Sequence, residues 1–289
     1  MEGGAETALF LLKFALNSCL NPSKTHQILG LQEKKFFIIF IFSLCFEKLF
    51  FGIFSSMKKP KYGIDAPNII LYFGLGGGIG MALGAVFWNY YVFLALPFLL
   101  MGTIFFFEAL WMLYSSLRGK FSRIDWMVSQ LELVGSEKVL DVGCGKGSLL
   151  IRVAREIKEG RAYGIDIWRN QDLSKNCIEK TKENIRIERV EHKTEVQSAD
   201  MRKLPYEDAF FDCVVASLAI HNIQVKSERE KALKEIDRVL KPGGRIAILD
   251  FQKIHEFAQF FQTGYQLSLS PLQWQMFPPT RVLFATKNP

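Results

Sequence analysis

Paired cysteine, dense basic charge and a leader-like N-terminus are all missing from this sequence, and each absence excludes something. Its five cysteines, at positions 19, 45, 144, 177 and 213, are scattered and form no close pair. An odd set of that kind supports neither a disulfide framework nor structural zinc, and it fits a reducing compartment. No metal site is expected. The formal net charge is +7, yet the basic residues after Asp125 are interleaved with acids and make no stripe. A solvated mixed surface follows, with no nucleic-acid partner. Glu2 and Glu6 stand where a secretory signal or transit peptide would carry a basic cluster. There is no internal repeat and no low-complexity tract.

What the chain has in excess is apolar residues: 49% of its 289 positions, 26 of them phenylalanine, with a mean hydropathy of +0.12. No charged residue occurs from Ala66 through Phe107. One helix of that length would measure about 63 Å, twice what a bilayer core requires. Two spans joined by a tight turn fit better, roughly Asn68–Phe87 and Val92–Leu113, the second containing Pro97. Trp88-Asn89-Tyr90-Tyr91 forms the turn and places aromatic rings suited to the headgroup level. Gly76, Gly80 and Gly84 share one helical face, which lets the hairpin pack closely on itself or on a second copy. Lys58, Lys59 and Lys61 before the hairpin and Arg118, Lys120 and Arg123 after it keep both ends in the cytoplasm. A multi-pass membrane protein with a cytoplasmic catalytic domain is expected.

Phe36–Phe54 is less decisive. Its Phe, Ile and Leu residues favour insertion by about 4–8 kcal/mol, and Glu47 with Lys48 oppose it by about 5–7 kcal/mol. It reads as interfacial or weakly spanning. Met57, just before the basic cluster, reads as an alternative natural start, which intact mass from the native source would test. The expected organisation is an extension at 1–56, a transmembrane hairpin at 57–116 and a catalytic domain at 117–289.

After the hairpin, Ile124, Met127, Val128, Leu131 and Val134 recur at helical spacing, predicting a helix over about 121–134. The rest alternates strand and helix, which predicts a mostly parallel sheet with helices on both faces. Strands are expected near 137–142, 161–167, 193–198, 210–218 and 244–250, then a pair near 264–269 and 280–286. Helices are expected near 147–158, 174–186 and 227–240, the last stopped by Lys241-Pro242-Gly243-Gly244.

Chemistry concentrates around Val139–Ser148. An apolar strand ending at Asp141-Val142 runs into Gly143-Cys144-Gly145-Lys146-Gly147, and an apolar helix follows. Such a turn brings backbone N–H groups close to a ligand. A dinucleotide fingerprint would need a sixth-position glycine where Ser148 stands, which weakens a nicotinamide oxidoreductase reading. Ala162–Ile167 places Asp166 at the end of the next strand, where an acid accepts hydrogen bonds from ribose hydroxyls. Then come Ser198-Ala199-Asp200-Met201, the strand Phe210–Val215, and Glu235–Ile248 with its Lys-Pro-Gly-Gly.

In this order and spacing the motifs resemble the small-molecule type of class I S-adenosylmethionine-dependent methyltransferase, over about residues 120–289. The resemblance implies a doubly wound, mostly parallel seven-stranded sheet, a Rossmann-like methyltransferase fold, preceded here by transmembrane helices. It implies S-adenosyl-L-methionine as cofactor. Gly143, Gly145 and Gly147 would lie along its methionine part and Asp141 would help hold the amino group. Asp166 would bind the ribose, Ile167 and Trp168 would flank the adenine, and Asp200 with the Met201 backbone would meet its edge. Ser217 and Leu218 would sit beside the sulfonium. Bland readings stand beside these: Asp141 and Asp166 as loop caps, Asp200 as a turn acid, Trp168 as packing. Cys144 reads as a small filler, since methyl transfer needs in-line placement and no covalent enzyme intermediate.

His221, just after the fourth strand, is either a base or acceptor-positioning residue or a hydrogen-bonding loop histidine. The Asn/Asp-Pro-Pro-aromatic stretch of nucleic-acid amino methyltransferases is missing, and so is the thiol set of arsenite methyltransferases. The expected function is a membrane-anchored methyltransferase acting on a small-molecule acceptor. The rival reading is a catalytically silent methyltransferase-like module that recruits a partner to the bilayer. In the resembled family the loop between the last two strands commonly covers the acceptor pocket. Here it carries Pro271, Leu272, Trp274, Met276 and Phe277, which points to a lipophilic or membrane-derived acceptor unless Trp274 and Phe277 are core.

Overall fold

The computed structural model describes residues 62–169 and 176–289. The extension at 1–56, the segment at 36–54, the Met57 start and Lys58, Lys59 and Lys61 lie outside the described residues. Two compact units emerge. One contains Leu71–Phe107; the other contains the segment ending at Ile70 together with Glu108–Pro289.

Helices α1 (Pro67–Phe87) and α2 (Val92–Tyr114), which supply most of the first unit, are long and apolar enough to cross a membrane. Pro67 opens α1 where its missing N–H costs nothing. The turn falls at Trp88–Tyr91, and the Tyr90 and Tyr91 N–H groups both donate to the Phe87 carbonyl. Close packing runs through Gly77, Gly80 and Gly84 against Gly102 and its neighbours. A Cβ on Gly80 would lie 2.9 Å from the Gly102 Cα, and one on Gly102 would lie 2.5 Å from the Met81 nitrogen. The glycine face expected at 76, 80 and 84 is therefore corrected at one position. Gly76 has only a Phe105 ring carbon nearby, at 3.9 Å, and Gly77 makes the close approach instead.

In the second unit a π-helical segment, Ser115–Gly119, leads directly into α3 (Lys120–Ser129). α3 stops five residues before the predicted end. The Glu137 carboxylate accepts the Val134 and Gly135 N–H groups at 2.7 and 2.8 Å, and the Arg245 guanidinium donates to the Leu131 and Glu132 carbonyls. Those bonds give the backbone a loop in place of another helical turn. Val134 accordingly ends 80% exposed.

The sheet follows: β1 (Lys138–Val142), β2 (Arg161–Asp166), β3 (Thr194–Ser198), β4 (Phe211–Ser217), β5 (Leu240–Asp250), β6 (Tyr265–Leu269) and β7 (Arg281–Lys287). Its order is β3-β2-β1-β4-β5-β7-β6, with β1 to β5 parallel and β7 antiparallel to both neighbours. This is the doubly wound, seven-stranded sheet that the alternating pattern predicted. Helices α4 (Ser148–Glu156) and α5 (Ile178–Ile187) join α3 in one apolar layer. Helices α6 (Lys226–Val239) and α7 (Ile254–Phe260) pack in the other. With both faces covered, β1, β4 and β5 read as apolar runs without alternation.

β5 begins earlier than expected. Leu240 pairs with Phe211, and pairing resumes at Arg245 with Cys213, so Lys-Pro-Gly-Gly is a bulge on the strand as well as a helix stop.

Candidate functional site: a glycine turn at the strand ends

The C-terminal edges of β1, β2, β4 and β5 converge where an open α/β sheet builds its ligand crevice. Gly143, Gly145 and Gly147 all have positive φ, at 75°, 49° and 83°. A side chain is strained there. At Gly143 a Cβ would also fall 2.4 Å from the Ala219 Cβ. The turn is held from behind: the Gly143 and Cys144 N–H groups donate to the Ile165 carbonyl at 2.9 Å. Thr181 Oγ1 donates to the Gly145 carbonyl at 2.6 Å, and Asn184 Nδ2 to that of Lys146 at 2.9 Å. α5 thereby helps fix a backbone whose three glycines have no side chains to pack.

Asp141 lies beneath this turn at 1% exposure, and neither carboxylate oxygen has a hydrogen-bond partner. Burial pushes its carboxyl up to about 8. The Leu150 backbone N–H pulls the other way without forming a hydrogen bond, and Asp166 adds to the rise. An unmatched buried carboxylate is costly, so it marks a place for a cationic ligand group. Cys144 is buried beside it, and that burial, with Asp141 and Asp166 adding to it, raises the thiol well above its ordinary range. A thiol so placed is inert, which fits the filler reading.

Asp166, at the end of β2, accepts the Gly145 N–H at 2.9 Å, the Trp168 N–H at 2.6 Å and Asn176 Nδ2 at 3.3 Å. It ties the glycine turn to the next loop. Ile167 is exposed. Trp168 has a left-handed backbone, φ 57°, and its indole N–H donates to Ser198 Oγ at 2.6 Å. Met201 reaches the turn: its Cε would lie 3.6 Å from a Cβ on Gly143. Asp200 is clasped by a neighbouring guanidinium. Arg202 donates to both its oxygens and to Glu228 as well, and this guanidinium holds the Asp200 carboxyl below the usual range.

Ser217 ends β4, and Leu218 follows with φ 54°, its N–H bonded to the Leu249 carbonyl. A short 3₁₀ turn, Ile220–Asn222, carries His221. Its Nδ1 lies 3.0 Å from both oxygens of Asp250, the last residue of β5. Asp250 was not anticipated. A usable signal existed: like β1 and β2, β5 is an apolar run that ends in an aspartate region at its C-terminal edge.

A second cleft, of about 500 Å³, opens at the other end of the sheet between Glu137, Asp212, Lys241 and Arg245. Its charges are paired, Lys241 with Asp212 at 2.5 Å and Arg245 with Glu137 at 3.1 Å. It is lined by Gly243 and Gly244 of the β5 bulge and lies at the N-terminal ends of the strands, away from the strand C-termini where such sheets bind ligands, so the chemistry belongs to the first site. Among the described residues no cluster of acids, histidines and cysteines could hold a metal ion.

Residues 140–248 match the family model described as a methyltransferase domain. The chain carries a methyltransferase domain of the class I, S-adenosylmethionine-dependent kind. It is 32% identical over 117 residues to the ubiquinone/menaquinone biosynthesis C-methyltransferase UbiE of Yersinia pestis, covering 40% of this chain and 43% of that protein. The UbiE of Pectobacterium carotovorum is 30% identical over 118 residues, covering 41% and 44%. The chain thus spans less than half the length of these curated relatives. Among solved structures, the [4+2]-cyclase SpnF aligns with a TM-score of 0.51 at 20% identity, over 60% of this chain and 83% of that one, and shares the fold. S-adenosylmethionine is the cofactor of the methyltransferase domain. The orphaned Asp141 carboxylate, the bare glycine turn and the acid at the end of β2 fit it.

Proposed function

We propose that this protein is a membrane-anchored methyltransferase that methylates a small, lipophilic, hydroxylated ring compound. The observation that carries the reading is Asp141, a fully buried carboxylate without a partner beneath a left-handed glycine turn. Asp141 would face the cofactor's amino group. Gly143, Gly145 and Gly147 would lie along its methionine part, Asp166 would hold the ribose, and Ile167, Trp168, Asp200 and Met201 would border the adenine. When bound, the cofactor supplies an electrophilic methyl group on sulfur. The chain's own contribution is to place the acceptor in line and keep water out, with Ser217 and His221 at the strand end. The curated relatives act in quinone biosynthesis by name, which supports a hydroxylated ring as acceptor.

Membrane attachment is supported by the length and composition of α1 and α2 and by basic residues on both flanks. Trp274, 61% exposed in the loop between β6 and β7, supports a site near the bilayer surface.

Calorimetry with S-adenosylhomocysteine tests the site. Asp166→Ala should weaken binding by about 1.5–3 kcal/mol, the range for hydrogen bonds to a charged group. NAD should give no heat. Unchanged affinity in a folded Asp166→Ala protein would remove the pocket assignment, and a wild-type protein that binds neither ligand would favour the silent module. Topology is tested by Asn89→Cys, which should react with an impermeant thiol reagent only from the non-cytoplasmic side.

A further inference from the structure

We propose that Asp250 is a positioning residue that holds His221 with its proton on Nδ1, leaving Nε2 as the base that takes the acceptor's hydroxyl proton. The inference rests on the proposed acceptor class and goes beyond it by naming the proton's destination.

Asp250 is 0% exposed. Its Oδ1 accepts the Gln252 N–H at 3.0 Å, and both its oxygens face His221 Nδ1 at 3.0 Å. A carboxylate offers only acceptors, so the imidazole must donate from Nδ1, and in the neutral ring Nε2 then carries a free lone pair. The ring is held on other sides too. The Phe251 ring meets it edge-on, centroids 4.7 Å apart. Arg229, itself buried, donates to the Ile223 and Gln224 carbonyls at 2.7 and 2.8 Å and pairs with Glu256 at 2.7 Å, so the loop after His221 is fastened to α6 and α7. His221 is also near the chemistry: Ala219, two residues earlier, is the side chain that crowds Gly143. A loop histidine satisfied at random would not need a buried carboxylate with both oxygens at one ring nitrogen beside the cofactor turn.

The step balances as follows. The hydroxyl proton of the acceptor passes to Nε2, and the oxygen's electron pair is delocalised onto the neighbouring ring carbon. That carbon forms the new C–C bond to the methyl group while the S–C bond breaks with its pair on sulfur. The ring carbon then releases its hydrogen to solvent as a proton, and the proton on Nε2 returns to the oxygen. One proton is released in all, and nothing is oxidised or reduced.

The test uses the full chain in lipid nanodiscs with ¹⁵N-labelled histidine, the His221 signals being assigned by their loss in His221→Gln. Nδ1 is expected to be the protonated nitrogen and Nε2 the bare one. Asp250→Asn keeps an acceptor for Gln252 but presents an amide N–H to the ring, and should reverse the two signals. A wild-type ring protonated on Nε2 would overturn the proposal. The second arm measures methyl transfer to a short-chain quinol. Both His221→Gln and Asp250→Asn should lower kcat by about 10²-fold or more. KM for the quinol and the affinity for S-adenosylhomocysteine should stay within about threefold, and Asp250→Glu should recover part of kcat. Unchanged kcat in both variants, or losses that track lost cofactor binding, would overturn it. If the wild type does not methylate the quinol, the acceptor class fails, and the ring-proton arm alone decides the role of Asp250.

Discussion

The indole N–H of Trp111 donates a 3.0 Å hydrogen bond to the main-chain carbonyl of Trp274, and the two rings stack with centroids 5.9 Å apart. Phe277 closes on Trp111 edge-on at 5.1 Å, and its N–H donates to Ser115 Oγ at 2.9 Å. A Cβ on Gly119 would fall 1.8 Å from the Gln275 carbonyl oxygen. The last turns of α2 and the π-helical segment therefore hold the loop between β6 and β7 by packing and by hydrogen bonds at once. In that loop Met276 is buried, while Trp274 and Leu272 are exposed.

If this aromatic pair sits at the headgroup level, Trp274 is the residue that touches lipid. Its fluorescence, isolated as the difference between wild type and Trp274→Phe, should be quenched by brominated lipid in reconstituted membranes. A double-mutant cycle with Trp111→Ala and Trp274→Ala should give a coupling of about 0.5–1.5 kcal/mol in thermal unfolding. A Trp274 signal blind to brominated lipid would place the loop in water.

A chain beginning at Ser115 should lose stability. Lys120 is buried, and its ammonium lies 2.9 Å from both oxygens of Asp65, which also bonds Ser116. The Tyr62 ring packs tilted against Phe121 at 5.3 Å, and its hydroxyl donates to Glu188 at 3.2 Å. Truncation would remove residues 62–66 and leave a buried ammonium alone. Because Asp65 is partly exposed, the expected loss is about 1–3 kcal/mol, below that of a fully buried pair. Lys120→Met in the shortened chain should recover part of it and still bind S-adenosylhomocysteine. A truncated chain with an unaltered melting temperature would show that this segment is merely laid on the surface.

Much of this architecture is legible in sequence, because its signals are local. The parallel strands β1, β4 and β5 are apolar runs bounded by turn residues, and the glycine turn announces itself between Asp141 and Ser148. What is not legible depends on neighbours brought together by folding. Asp250 acquires meaning only because β4 and β5 pair with Ser217 opposite Leu249, which sets His221 beside it. Gly77 replaces Gly76 at the helix contact because the rotation of one helix against another is not written in either sequence alone. The end of α3 was overestimated because Glu137 and Arg245, distant from the helical stripe, capture its next turn. α7 was missed for a related reason: a seven-residue helix offers too few periods to show a pattern.

The hairpin contact should be sensitive to single methyl groups at one glycine and indifferent at another. Gly102→Ala would set a Cβ 2.5 Å from the Met81 backbone nitrogen, where nothing flexible can yield, whereas Gly78 has nothing within 4 Å. Gly102→Ala should lower the melting temperature in detergent by several degrees, as expected for overpacking of about 1–3 kcal/mol. Gly78→Ala should leave it unchanged. Equal behaviour of the two variants would show that α1 and α2 do not pack on these faces.

The pH dependence of stability should carry the signature of Asp141. Its carboxyl has an ordinary value of 3.8 in the unfolded chain and is pushed up to about 8 by burial in the native one. Below about pH 4 it is protonated in both states and costs nothing. As pH rises from 4 to 8 the unfolded chain releases this proton and the native chain retains it, so stability falls; above 8 the cost levels off. The full effect is on the order of a few kcal/mol. The ligand-free protein should therefore melt lower at pH 7.5 than at pH 5, and Asp141→Asn should flatten that slope. A bound cofactor brings an ammonium group to the same place, so binding should expel the proton. Calorimetry at pH 7 in two buffers of different ionisation enthalpy should report close to one proton released by the wild type and none by Asp141→Asn. Identical heats in both buffers for the wild type would mean that Asp141 is already ionised before the cofactor arrives, and that something other than this carboxylate receives the amino group.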